Sequence, residues 1–295
     1  MQPVPAGYPI VELTGPIIVG CLLNFGLFGT LSVQIYLYYL AFPNDRRFIK
    51  YVVYGIYVIE FVQTMLVAYD VFVIYGCGFG DMDVLTRIDL FGLSVPIMGG
   101  VAACIGQFFY AYRIFILSKS RIIPIFIICI SLTSFGASMC AGIYGFQEGI
   151  TAELNTRKMH IAVGIWCGAA ALCDILVAIC MTYYLMRSTT NFRRTRMLVS
   201  KIIRLTIETG SMTAVAALLY VVLFIVLPHQ NSHRAPGLVL PKLYANSVYM
   251  VLNSRFHIIG GRDTYTSLTD MGITTTMIRH FRSQSPEDTQ LAHGA

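Results

Sequence analysis

The chain has 295 residues, of which 56% are hydrophobic and only 12% are charged. Soluble domains average about 45–50% apolar and about 25% charged residues, so this composition excludes an ordinary soluble domain and a disordered chain. The formal net charge of +6 does not indicate nucleic-acid binding, because the basic residues are distributed along the chain beside apolar segments. The composition predicts an integral, multi-pass membrane protein embedded in a lipid bilayer.

Seven segments are apolar and long enough to cross a hydrocarbon layer of about 30 Å, which takes roughly 20 residues of α-helix. In chain order they are Thr14–Ala41, Tyr51–Tyr75, Asp89–Leu117, Ile122–Phe146, Met159–Met186, Ile202–Leu227 and Gly237–Gly260. The alternating pattern typical of a transmembrane β-barrel does not occur in the sequence. We therefore predict an all-α bundle of seven transmembrane helices over 14–260, with an outer N-terminal segment, 1–13, and a cytosolic, partly disordered tail, 261–295.

The distribution of Lys and Arg predicts the orientation of the bundle. Sixteen of the 21 basic residues follow the first, third, fifth and seventh predicted spans, and five lie on the other side. Because cytosolic loops carry an excess of Lys and Arg, the first of these sides is predicted to be cytosolic and the N-terminus to face outwards. Which membrane the protein occupies, the plasma membrane or an endomembrane, is not encoded in this pattern.

The densest basic segment lies between the fifth and sixth spans. It contains Arg193, Arg194 and Arg196 within four residues. Its basic residues are typical of a cytosolic loop that contacts anionic lipid. Each Lys or Arg near the membrane surface gains about 1 kcal/mol of binding free energy from that contact. Docking of a cytosolic partner is the alternative interpretation of this loop.

Acidic residues inside the predicted spans suggest a functional interior. An ionisable group in the hydrocarbon costs on the order of 3 kcal/mol on insertion scales and normally faces the bundle interior. From the spacing and depth of these residues we predict one polar core in the cytosolic half. Its members are Glu60, Gln63, Asp174, Arg204, Glu208, Asn253 and Arg255.

This polar core has three interpretations. Its residues could form interhelical hydrogen bonds that only fix the packing, with Arg255 paired to Glu208 or Asp174. They could instead bind a ligand, an ion or a proton, or they could take part in catalysis. The sequence lacks the motifs of soluble enzymes. It contains no phosphate-binding loop, no dinucleotide-binding fingerprint and no zinc-ligand pattern, so no cofactor and no metal site is predicted.

Motifs in the second half resemble those of a known family. They are the segment from Ile203 to Gly210, Lys242-Leu243-Tyr244 and Val251-Leu252-Asn253-Ser254-Arg255, together with Asp174. They are similar to the signature of a large seven-helix family that is expanded in mushroom-forming (basidiomycete) fungi and is catalogued as a domain of unknown function. The resemblance places the named domain at 166–255. In the first half, Phe42-Pro43-Asn44-Asp45 and Glu60 with Gln63-Thr64 also resemble members of that family. The resemblance implies the seven-helix fold but no activity.

Four classes of function remain open at this point. A receptor-like or accessory protein agrees best with seven spans, and it would bind a small apolar ligand and a cytosolic partner. The motifs of conventional G-protein-coupled receptors are missing, however, after Tyr112 and after Asn246. The main alternative is a membrane-embedded enzyme that uses buried carboxylates as general acids on a lipid or terpenoid substrate. A retinal photoreceptor would need Lys242, which we expect nearer the outer surface than most of the carboxylates. A transporter would typically show internal repeats.

Overall fold

The computed structural model describes residues 10–78, 91–118, 120–150, 156–187, 193–227 and 231–254. Within these ranges the side chains of 10–13, 91, 147–150, 156, 193–199 and 231 are not described. The described residues form helices joined by short turns, without a β-strand among them. The prediction of an all-α, multi-helix membrane protein is confirmed.

In the described part of the chain, seven long helices, α1 to α7, follow one another. Their bounds are α1 Ile10–Ala41, α2 Arg47–Phe72, α3 Phe91–Ser118, α4 Ile122–Ile150, α5 Thr156–Arg187, α6 Arg193–Val226 and α7 Arg234–Asn253. A π-helical turn, Val73–Cys77, continues α2, and a 3-10 turn, Asn231–His233, precedes α7.

Within the described chain, six of the seven helices, α1 to α6, are long and apolar enough to cross a membrane. Their outward faces carry large apolar side chains, such as Leu22, Tyr51 and Ile122, which are 67%, 74% and 78% exposed. In a bilayer, apolar side chains on such faces contact the hydrocarbon tails of the lipids. The exposed apolar surface is therefore what helices in a bilayer are expected to show.

The seventh helix, α7, is more polar than the others and lies inside the bundle. Fifteen of its 20 residues are buried, including the charged Arg234 and Lys242. It packs against α1, α2, α3 and α6. Because neighbouring helices enclose α7, its polar side chains meet protein groups instead of lipid tails.

Local chemistry explains why α1 ends where it does. Pro43 disfavours helical backbone at the preceding residue, so α1 stops at Ala41 and a short turn leads into α2. The Tyr38 hydroxyl donates a 3.0 Å hydrogen bond to Asp45 Oδ2 across this turn. The turn is thereby tied back to the last helical residues of α1.

Small residues let the helices approach closely. A Cβ atom added at Gly20 of α1 would lie 2.9 Å from the backbone Cα of Ala235 at the start of α7. In the same way, a Cβ at Gly100 of α3 would overlap Ser138 of α4. These close contacts fix the positions of α7 against α1 and of α4 against α3.

Several predicted helix boundaries differ from the structure by a few residues, and the largest differences concern α1, α6 and α7. α1 begins at Ile10, so part of the predicted outer segment is helical, and the basic residues from Arg193 onward form the first turns of α6 instead of a loop. α7 begins at Arg234, three residues earlier than predicted, because the turn at Asn231–His233 already leads into it. The predicted continuation to Gly260, and the tail 261–295, lie outside the described residues.

Candidate functional site

A buried ion pair joins α2 to α7. Lys242 Nζ lies 2.6 Å from Glu60 Oε2, and both side chains are 0% exposed. The same ammonium group donates to the backbone carbonyl of Glu60 at 2.8 Å and to Gln63 Oε1 at 3.1 Å. It also lies 5.5 Å from the centre of the Phe28 ring of α1. All three ammonium hydrogens therefore have acceptors, as burial of a cation requires.

Beside the ion pair, two buried polar atoms have no hydrogen-bond partner among the described residues. Gln63 Oε1 accepts from Lys242, so the orientation of the amide is set and its Nε2 is a free donor. Glu60 Oε1 is likewise a free acceptor. An unsatisfied donor and acceptor in the interior cost about 1–3 kcal/mol each, so both atoms would gain from a hydrogen-bonding partner.

A second carboxylate, Asp174 of α5, lies between three other helices. Its Oδ2 accepts hydrogen bonds from the Thr213 hydroxyl of α6 at 2.8 Å and from the Tyr244 hydroxyl of α7 at 2.9 Å. Its Oδ1 accepts a longer, 3.3 Å bond from Gln107 Nε2 of α3. In contrast to Glu60, Asp174 has only neutral donors around it in the described part of the chain.

The two carboxylates are connected through neighbouring residues of α7. Lys242 and Tyr244 are two positions apart, which corresponds to about 200° around an α-helix. One side chain therefore contacts Glu60 on α2, and the other contacts Asp174 on α5. α7 is the element shared by both polar clusters.

Other polar contacts of α7 join it to α1. Asn246 Oδ1 accepts a 2.9 Å hydrogen bond from the Thr30 hydroxyl, and Asn246 Nδ2 donates to the Lys242 and Leu27 carbonyls. About two turns further along α7, Asn253 Nδ2 donates to the Gln34 carbonyl of α1 at 2.9 Å. Asn253, expected in the polar core, thus contacts α1 and neither carboxylate cluster.

The Arg204–Glu208 pair forms, but it lies outside the core. Arg204 Nε is 2.6 Å from Glu208 Oε1, and the two side chains are 81% and 50% exposed. An exposed pair at this spacing on one helix contributes little to stability, because water and salt screen the two charges. Arg255, the remaining residue predicted for the core, lies outside the described residues, as does any pairing it makes with Glu208 or Asp174.

Among the described residues, the predicted members of the polar core lie in more than one cluster. Glu60 with Gln63 forms one cluster and Asp174 lies in another, because α7 lies between α2 and α5 and presents a different residue to each. Both lie well inside the helices: Glu60 follows the start of α2 by about 20 Å of helical rise. No group of three His, Cys, Asp or Glu side chains that could hold a metal ion occurs among the described residues.

The sequence analysis did not predict the ion pair between Lys242 and Glu60. It placed the lysine nearer the outer surface, whereas α7 begins three residues earlier, which puts Lys242 about 12 Å into the helix. Charge balance was the available signal, because a cation in a span needs an acidic partner. No sequence signal identified Thr213 as a contact of Asp174.

The comparisons with known proteins concern the second half of the chain. A family of unknown function, DUF6534, matches residues 170–257. This match supports the similarity to a domain of unknown function, and its range contains Asp174, Thr213, Lys242 and Tyr244 but neither Glu60 nor Gln107. No curated protein and no solved structure matches the chain. The protein is therefore a multi-helix integral membrane protein that contains a domain similar to DUF6534.

Proposed function

We propose that the protein is receptor-like and that α7 transmits the binding of a small ligand from one buried carboxylate cluster to the other. The observation that carries this proposal is the pair of contacts from Lys242 to Glu60 and from Tyr244 to Asp174. A shift or rotation of α7 changes both contacts together. Such a shared element with two arrangements is what a ligand-dependent switch requires.

The chemistry of the ion pair supports a role beyond packing. Replacing a buried ion pair by well-packed apolar residues is often neutral or stabilising, so stability alone does not explain Glu60 and Lys242. Ionisable residues inside transmembrane bundles are rare and usually mark functional positions. The unpartnered Glu60 Oε1 and Gln63 Nε2 give a small, largely apolar ligand one acceptor and one donor to bind.

The proposed orientation places the start of α6 in the cytosol. Arg193, Arg194 and Arg196 precede the apolar part of α6, which begins at Ser200. Basic residues at that level favour contact with anionic lipid headgroups and with a cytosolic partner. A glycosylation sequon inserted before α1 should be modified in cells, and one inserted after α7 should not. The fungal origin implied by the resemblance also stays a prediction.

A double-mutant cycle tests the coupling through α7. We propose measuring the thermal stability of Glu60→Gln, Asp174→Asn and the combined variant, with Glu208→Gln as the exposed control. Side chains without shared contacts give changes that add within about 0.3–0.5 kcal/mol. Coupling through α7 predicts a departure from additivity larger than this for Glu60 with Asp174, and additivity for either residue with Glu208.

Additive effects in all three combinations would contradict the receptor-like proposal. The carboxylates would then only hold helices together, and an accessory, structural role would be the better account. Native mass spectrometry of the same purified variants adds a direct measurement. A small molecule that co-purifies with the wild type but is lost in the Glu60→Gln variant would identify the ligand.

The second candidate function is a membrane-embedded enzyme, and Asp174 is the observation that favours it. A general acid needs a carboxyl group that is not neutralised by a cation, and only neutral groups contact Asp174 in the described chain. The substrate would be a lipid or a terpenoid that enters from the bilayer. Turnover of a co-purifying lipid by the wild type, abolished in Asp174→Asn, would favour this function over the receptor-like one.

A further inference from the structure

The outward face of α6 carries an acidic side chain within a candidate membrane span. In the described parts of the six spans, the acidic residues are Glu60, Asp70, Asp174 and Glu208. The first three are buried or half-buried, whereas the side chain of Glu208 is 50% exposed. Glu208 follows Ser200, the start of its span, by about 12 Å of helical rise. Ionisable groups within spans normally face protein, so the outward position of Glu208 calls for a second protein surface.

The exposed residues of α6 have the spacing of a two-stranded coiled coil. Seven of them are connected by alternating steps of four and three residues: Arg204, Glu208, Ser211, Val215, Leu218, Val222 and Ile225. In a heptad, Glu208, Val215 and Val222 occupy position a, and the other four occupy position d. β-branched residues at a with Leu at d favour two parallel strands, and one polar residue at a sets their register. We call these seven residues the α6 stripe.

The α6 stripe lies opposite the face that packs into the bundle. The buried residues of α6 are Thr206, Thr209, Thr213, Ala217 and Tyr220, and they occupy positions b, c and f of the same heptad. Among the six spans, α6 also has the smallest buried share, 22% of its most apolar segment. The stripe is therefore on the outside of a single copy along the whole span.

Arg204 and Glu208 make the α6 stripe self-complementary in charge. Within one copy, Arg204 Nε lies 2.6 Å from Glu208 Oε1, which uses one of the five N–H groups of the guanidinium. The other N–H groups and Glu208 Oε2 make no hydrogen bond to the described residues. A two-fold interface brings the same surface of two copies together, so that each residue meets its counterpart's neighbour. Arg204 of each copy would then lie one helical turn from Glu208 of the other.

We infer that the protein forms a parallel homodimer through the α6 stripe. Two copies with the same orientation in the membrane have parallel α6 helices, which is the arrangement that the Val and Leu positions favour. Packing and polar contacts drive the association of helices in lipid, and the stripe offers both: apolar layers from Val215 to Ile225 and a charge pair at one end. This inference goes beyond the receptor-like proposal and does not depend on it, because Thr213, the α6 contact of Asp174, lies on the opposite face.

Energy transfer between separately labelled copies in phosphatidylcholine vesicles tests the dimer. Transfer in the wild type should rise to saturation as the protein-to-lipid ratio increases. Arg204→Glu and Glu208→Arg should each weaken the association at least about tenfold, because each stripe then carries two like charges. A mixture of the two variants should associate like the wild type. Arg157→Glu, a charge reversal at the exposed start of α5, is the matched control and should leave the association unchanged.

Cysteine cross-linking covers the case in which a charge-reversal variant does not fold. In a background without the exposed native cysteines, oxidation by copper phenanthroline should link Ser211→Cys and Leu218→Cys into dimers. Leu172→Cys, on the 49% exposed surface of α5, should not cross-link. Absence of association in the wild type would overturn the inference, and so would failure of the mixed variants to recover it. Cross-linking at Leu172 as strong as at Leu218 would also overturn it.

Discussion

Lys242 and Glu60 form an ion pair 2.6 Å long in which neither side chain has exposed surface. The two residues are 182 positions apart in the chain, and they join α2 to α7 near the middle of both helices. Together with the hydrogen bond from Tyr244 to Asp174, this contact means that α7 binds both buried carboxylates.

Removing one partner of the buried pair should destabilise the protein strongly. We expect Lys242→Met and Glu60→Met each to lower the free energy of unfolding by about 3–5 kcal/mol, because the other group then stays buried without its countercharge. The double variant Glu60→Met with Lys242→Met should recover most of the loss. Thermal unfolding in detergent measures all three. A double variant as unstable as the sum of the single variants would contradict the ion-pair account.

The hydroxyl donors of Asp174 should contribute modest energies. We expect Tyr244→Phe to destabilise by about 0.6–1.7 kcal/mol, the range measured for interhelical hydrogen bonds in membrane proteins. Ser211→Ala is the matched control, because its exposed hydroxyl bonds only within α6, to the Glu208 carbonyl. If Tyr244→Phe is no more destabilising than Ser211→Ala, the Tyr244 contact does not stabilise the folded state.

Two glycines of α1 should respond in opposite ways to substitution by alanine. Gly20→Ala places a methyl group 2.9 Å from the Ala235 backbone and should destabilise by about 1–3 kcal/mol, because α1 and α7 must move apart. Gly26 has no atom within 4 Å of the added methyl group. Gly26→Ala should therefore be neutral or stabilising by about 0.5–1 kcal/mol, the helix preference of alanine over glycine. Thermal unfolding of the two variants side by side measures the difference.

The basic start of α6 should retain anionic lipid. We expect replacement of Arg193, Arg194 and Arg196 by Gln to reduce the amount of anionic phospholipid that co-purifies. The binding free energy of the lipid should weaken by about 1 kcal/mol for each arginine removed. Native mass spectrometry counts the bound lipids. The variant with Arg157→Gln and Lys158→Gln, at the start of α5, serves as the control. Equal lipid loss in both variants would argue against a specific lipid contact at α6.

The sequence was sufficient for the helices and insufficient for their contacts. Hydrophobic length located the helices, and Glu60 and Gln63, which were predicted together in the polar core, are both buried on α2. Depth alone could not show that α7 separates Glu60 from Asp174, since this depends on which helices are neighbours in the bundle. Arg204 and Glu208 were expected in the core because a period of 3.6 residues does not reveal which face of α6 meets lipid.

The polarity of α7 also has a consequence for how the protein is made. Lys and Arg each cost about 2.5–3.5 kcal/mol at the centre of an inserting helix, and α7 carries Lys242 in its interior. α7 is thus poorly suited to enter the bilayer alone and is expected to insert against helices that are already present. Until then Glu60 remains in the membrane without its cation. A chain that ends before α7 should consequently stay incompletely assembled and be removed by membrane quality control.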